Sequence, residues 1–208
     1  LEPGVAAQLQ DGGVDPKNIN AVLLSHVHYD HHGDPEDFPN ARFIVGSGAL
    51  DVLAHGLSGL GSHQHFDPDL LPKDRAAELP GVKRDGKWKP LGPFPAALDL
   101  FGDGSCYAID TPGHLPGHTN LLCRIGRERW VMLCGDAYHD PRLLSGEKEI
   151  GTWEDGEGHT LCIHVDRMKA EESIKRLREL QKMGVEMVAA HDDGWWDSNR
   201  NRAFPKTL

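Results

Sequence analysis

Three features of the 208-residue sequence predict an α/β fold. Short apolar runs alternate with helical or irregular segments, one long segment carries a helical apolar stripe, and several apolar runs end on a histidine or an aspartate. Leu1 to Asn20 is polar and glycine-rich, with no strand pattern. Ala21 to Ser25 reads as a short buried strand that runs straight into a histidine-rich segment. Ala41 to Val45 is a second strand, and Ser47 to His55 suits a short helix. Ala97 to Phe101 and Cys106 to Ile109 flank Gly102-Asp103-Gly104-Ser105, a hairpin signature. Asn120 to Ile125 and Arg129 to Cys134 flank Gly126-Arg127-Glu128, a second hairpin whose last strand leads into Gly135-Asp136. The clearest helix spans Asp166 to Met183, with Asp166 suited to the N-cap and Gly184 to the stop. Its stripe is Ala170, Ile174, Leu177 and Leu180, and Glu171–Lys175 and Glu172–Arg176 are i,i+4 pairs on the wet side. Val185 to Ala190 is a last strand, with His191 at its end.

Residues 1–208 read as one domain without repeats. Two segments, 56–95 and 139–159, are rich in Gly, Pro, His and charge and carry little periodicity. Both are interposed between strands that end on candidate ligands, so they are expected to be inserted loops serving as lids.

Apolar residues make up 38% and charged residues 26%, a soluble globular balance, and no apolar run approaches the length of a membrane span. The formal charge of −10 argues against nucleic acid as a partner, and no membrane partner is implied. A cytoplasmic location is the expectation, with a leader upstream of Leu1 left open; the oligomeric state is also left open. The four cysteines form no C-x-x-C pair, and three sit in apolar stretches as expected buried thiols. The count of 13 histidines is high for this length and points to metal chemistry.

His26-x-His28-x-Asp30-His31 places four potential ligands in six residues directly after a strand. Such a loop can aim His26 and His28 to one side and Asp30 and His31 to another. His118 lies in the rigid Pro/Gly loop Thr111 to Thr119, and Asp136 and His191 each stand just past a strand. Core packing does not explain three such residues at strand termini, where α/β folds gather their ligands.

With those residues in place, the chain resembles the metallo-β-lactamase superfamily, over roughly Ala21 to Trp196. The resemblance implies a four-layer αβ/βα fold. Only 25 residues precede His26, so part of the N-terminal sheet is expected to be missing. It also implies two divalent ions, with Zn²⁺ the best-suited and Fe or Mn compatible with the same donors. His26, His28 and His118 would hold one ion, Asp30, His31 and His191 the other, and Asp136 would bridge them. Of the two histidines in the Pro/Gly loop, the resemblance is read as assigning His118, leaving His114 a loop or outer residue. A hydroxide bridging the ions would attack an ester-like carbonyl, Asp30 would carry a proton to the leaving group, and Tyr138 or His139 would steady the oxyanion.

Within the superfamily, Thr111 to His118, Ile163-His164 and Ala190-His191-Asp192 are similar to N-acyl homoserine lactone lactonases. Gly135-Asp136-Ala137-Tyr138 departs from the run usual in glyoxalase II-type thioesterases. The expected substrate is therefore a small lactone or lactam, with a thioester as the alternative and a mononuclear iron redox enzyme as a second one. The lactonases carry a tyrosine three residues after the bridging aspartate, where this chain has His139. His63, His65, Phe66, Trp88, Phe94 and Trp153 on the two excursions would wall a substrate pocket or pin the loops, and Trp195 and Trp196 would line it or close the C-terminal end.

Overall fold

The computed structural model describes residues 4–58, 64–83 and 86–206; His63 lies outside them. Three parallel strands, β1 (Ala21–Leu23), β2 (Arg42–Val45) and β3 (Ala76–Glu78), form one sheet in the order β1-β2-β3. A six-stranded sheet holds β4 (Lys89–Leu91), β5 (Phe94–Asp99), β6 (Cys106–Asp110), β7 (Thr119–Arg124), β8 (Trp130–Leu133) and β11 (Glu186–Val188). Its order is β11-β8-β7-β6-β5-β4, antiparallel except where β11 runs parallel to β8. A separate antiparallel pair joins β9 (Thr152–Glu154) to β10 (Thr160–Cys162). The helices are α1 (Val5–Asp11), α2 (Ala49–His55), α3 (Pro141–Ser145), α4 (Arg167–Lys182) and α5 (Asp193–Asn199).

Side chains alternate across each sheet, and that alternation builds the layers. On β5, Ala97 enters the main core with Ile174, Leu177 and Leu180 of α4, and a register shift against β4 between Phe94 and Ala97 lets Phe94 join it too. Ala96 and Leu98 face the opposite way. There they meet Leu23 of β1 and Ile44 of β2. On β2, Phe43 and Val45 point outward to Ala49, Val52 and Leu53 of α2. The layers therefore run α3/α4, six strands, three strands, α2: the αβ/βα arrangement expected.

The predicted elements form at nearly the expected bounds, α4 with its Asp166 cap accepting from Lys169 N–H. Arg176–Glu172 forms at 3.0 Å, while Glu171 pairs with Arg167 at 2.7 Å instead of with Lys175. β5 starts and stops earlier than expected because the Asp99 carboxylate accepts the N–H groups of Gly102 and Gly104, turning the chain there. The 56–95 segment is more structured than its composition suggested: it contributes β3, β4 and the start of β5. Phe94 is core, and buried Trp88 donates its indole N–H to Pro80 O at 2.7 Å. The 139–159 segment contains α3 and β9, with Trp153 half exposed. Among the cysteines only Cys134 is buried; Cys106 and Cys123 face one another across β6 and β7 with sulfurs 3.6 Å apart.

Candidate metal centre

The loops that leave β1, β6, β8 and β11 converge at one edge of the two sheets. Their backbones are tied together: Thr119 N–H donates to Ser25 O, Cys134 N–H to Val188 O, and Ala190 N–H to Gly135 O. Gly135 must be glycine, since at φ +47° a Cβ would stand 2.7 Å from that of Ser25. The Thr111–His118 loop is fixed from the other side by α4. Val165 N–H donates to His114 O, Asp166 N–H to Gly113 O and Ser173 Oγ to Pro112 O. Gly113 packs so closely that a Cβ would lie 2.3 Å from the backbone nitrogen of Ala170.

Four buried side chains meet at the centre: His26, His28, His114 and Asp136. His28 Nδ1 lies 3.0 Å from both His26 Nε2 and His114 Nε2, and Asp136 Oδ2 is 3.4 Å from His114 Nε2 and 3.8 Å from His26 Nε2. A tetrahedral zinc ion with ligands at 2.0–2.1 Å sets its donor atoms roughly 3.3 Å apart, so this quartet fits one. Burial, then the neighbouring imidazoles, holds His26 and His114 well below the usual histidine range, so both present lone pairs at neutral pH. Ser25 Oγ, 3.1 Å from His26 Nδ1, orients that ring from behind.

On the far side of Asp136 stand Asp30, His31 and His191. Asp30 Oδ2 is 3.5 Å from His31 Nε2 and 3.7 Å from His191 Nε2. Asp136 reaches both with different oxygens, Oδ2 at 3.3 Å from His31 and Oδ1 at 3.4 Å from His191. His31 Nε2 and Asp136 Oδ1 are buried with no hydrogen-bond partner, the condition a bound cation would relieve. Burial would raise the Asp136 pKa, but His139 and His31 beside it outweigh that and keep the carboxylate ionised.

The quartet contains His114 and leaves out His118, the histidine expected there. His118 is buried with both nitrogens committed, Nδ1 at 3.1 Å from Thr111 O and Nε2 accepting the Asp136 N–H at 3.1 Å. Desolvation lowers its pKa to about 4, so it serves as a neutral brace that fixes the Asp136 loop. Tyr138, expected beside the oxyanion, is 1% exposed within the main core, its hydroxyl beside Cys134, and burial raises its pKa. It follows directly on the tight turn closed by Ala137 N–H to Cys134 O, on which Asp136 lies. His139 does reach the centre, its Nε2–H donating to Asp136 Oδ2 at 2.9 Å and its ring stacked on that of His191.

Phe66 stacks on His28 at 5.8 Å, and an open groove of about 370 Å³ beside it has an apolar wall of Val27, Tyr29, Phe66 and Leu70 and a polar one of His32, Gln64, His65 and Asp67. Trp195 is fastened at the C-terminal end, its indole N–H donating to Glu186 Oε1.

Comparison with known proteins agrees with this architecture. The metallo-beta-lactamase superfamily model matches residues 1–183. The chain belongs to that superfamily. It is 28% identical over 206 residues to the N-acyl homoserine lactonase AttM of Azorhizobium caulinodans, which covers 95% of this chain and 67% of the relative. It is 29% identical over 196 residues to the cytochrome P450 monooxygenase mpaDE' of Penicillium brevicompactum. That match takes in 86% of this chain but only 23% of the relative, so the chain spans about a quarter of that protein's length. A solved N-acyl homoserine lactone hydrolase, with N-hexanoyl-L-homoserine at its catalytic metal centre, superposes at a TM-score of 0.70 and 21% identity. It covers 98% of this chain and 67% of that one, a likeness of fold. No helix among the described residues is long and apolar enough to cross a membrane.

Proposed function

We propose that this metallo-beta-lactamase domain is a two-metal hydrolase that opens a cyclic ester or amide, with a lactone as the favoured substrate. The observation that carries the reading is Asp136, standing between His26/His28/His114 on one side and Asp30/His31/His191 on the other. When bound, two divalent ions supply a hydroxide nucleophile from water at neutral pH and polarise the carbonyl under attack. Imidazole and carboxylate donors suit Zn²⁺.

The protein's own groups have separable tasks. His26, His28 and His114, all buried, would hold one ion, and Asp30, His31 and His191 would hold the other. His139 keeps Asp136 ionised and oriented through its Nε2–H. Asp30, with 37% of its side chain exposed, faces the rim and can carry a proton to the alkoxide released when the ring C–O bond breaks. The groove beside Phe66, walled by Tyr29 and Leu70 on one hand and His32, Gln64 and Asp67 on the other, suits a substituent with both apolar and polar groups. The lactonase relative supports lactones over thioesters.

The test is a panel of lactones, lactams and thioesters followed by proton release, before and after chelation. Lactone opening that stops on chelation and returns with zinc is the expected result. Zinc-loaded protein that opens no member of the panel would refute the reading.

A further inference from the structure

His164, between β10 and α4, belongs to neither donor set. It is 3% exposed, and neither of its ring nitrogens has a hydrogen-bond partner. Its ring lies 5.2 Å from that of His114, edge-on at 81°, and 5.5 Å from that of His139. Two further buried nitrogens in this corner are unpartnered, His114 Nδ1 and His139 Nδ1. Buried polar atoms are seldom left so, and four in one contact group call for a common explanation.

The proton count supplies it. His139 Nε2–H donates to Asp136 Oδ2, so in the neutral ring Nδ1 carries a lone pair. His114 turns Nε2 toward the donor quartet, so its proton is on Nδ1. A neutral imidazole between them has one lone pair and one N–H, one for each neighbour.

We propose that His164 is a positioning residue that joins His114 to His139 in one hydrogen-bond chain and so fixes the tautomers of both. His164 accepts from His114 Nδ1–H and donates to His139 Nδ1, and the chain continues through His139 Nε2–H to Asp136. All four nitrogens are then satisfied, with no net charge. The chain asks only a turn of the His164 ring about its soft χ2 torsion, with His114 Nε2 and His139 Nε2 left where they are. The consequence is that His114 Nε2 is held as a lone pair for a metal ion, and His139 is held as a donor to Asp136. The inference rests on His114 serving as a ligand.

The experiment is long-range ¹H–¹⁵N correlation and N–H···N coupling spectroscopy on histidine-labelled protein, chelated and zinc-loaded, after zinc content is measured. Loss of zinc binding altogether would count against the proposed site itself. With zinc bound, the expected result is His114 as the Nδ1–H tautomer, His139 as Nε2–H, and couplings from His164 to both. Zinc bound with neither coupling would overturn the chain. His164→Phe should lower zinc affinity 10- to 100-fold and mix the His139 tautomers, as loss of an outer partner does. His164→Gln, which keeps a donor and an acceptor, should stay within a few-fold. Wild-type affinity and tautomers in a folded His164→Phe protein would also overturn it. Should that variant not fold, the wild-type couplings decide.

Discussion

On one side of Asp136 every donor is buried: His26 is 0% exposed, His28 7% and His114 2%. On the other side, Asp30 and His191 have 37% and 43% of their side chains open to solvent. The difference separates holding from turnover. Desolvated imidazoles gathered by folding form a trap whose ordering cost is met before an ion arrives, and hydrogen bonds from behind keep the rings aimed. The rim set can admit water and substrate because it is open, and its ion should exchange more readily.

The sharpest way to break the comparison is to remove one histidine from each side. His114→Ala should weaken the tighter zinc ion by more than about 100-fold, beyond the effect of outer-shell changes. His191→Ala should release only the weaker ion, leaving about one zinc per chain by metal analysis. Equal losses in the two variants would erase the distinction.

His118→Ala should retain both ions and instead lower stability by about 1–3 kcal/mol, since the buried Asp136 N–H loses its acceptor. Denaturant melts alongside zinc content would show it. If His118→Ala lost the tight ion and His114→Ala kept it, the assignment of His114 would be wrong.

Acid should sharpen the same contrast. His118 and His164 are lowered from 6.5 to about 4 by desolvation, so between those values the unfolded chain binds more protons than the folded one. Stability is therefore complete above about pH 6.5 and falls as pH drops toward 4, by up to roughly 3 kcal/mol per group. Urea midpoints of chelated protein at pH 7 and pH 4.5 test the sign. An unchanged midpoint would contradict a dry, neutral interior behind the buried donors.

The smallest effect is expected at Tyr138→Phe: unaltered zinc content and a stability change within about 1.5 kcal/mol. A lost ion would return Tyr138 to the site.

Much of this was legible in the residues. His26, His28, Asp30 and His31 announce themselves because a strand delivers them together, and Asp136 and His191 because each ends a strand. His114 and His118 are harder to separate, lying four apart in one Pro/Gly loop. Between them, Gly117 at φ +81° packs against Ala49 and Gly46 and turns the chain, so that His118 leads into β7 while His114 faces the donors. Tyr138 was misplaced because one residue of turn decides which face it takes. β3 and β4 escaped notice because three-residue strands carry too little alternation to see, and their pairing comes from tertiary contact. His164 was visible only as part of the Ile163-His164 likeness; its contacts come from rings brought together by two distant loops.

The central claim, two ions of unequal hold sharing Asp136, is most directly tested by titrating chelated protein with zinc in a calorimeter. Two resolved steps are expected, with the tighter step absent from His114→Ala and both steps weakened in Asp136→Asn. A single step of one ion per chain, unaffected by Asp136→Asn, would contradict the account.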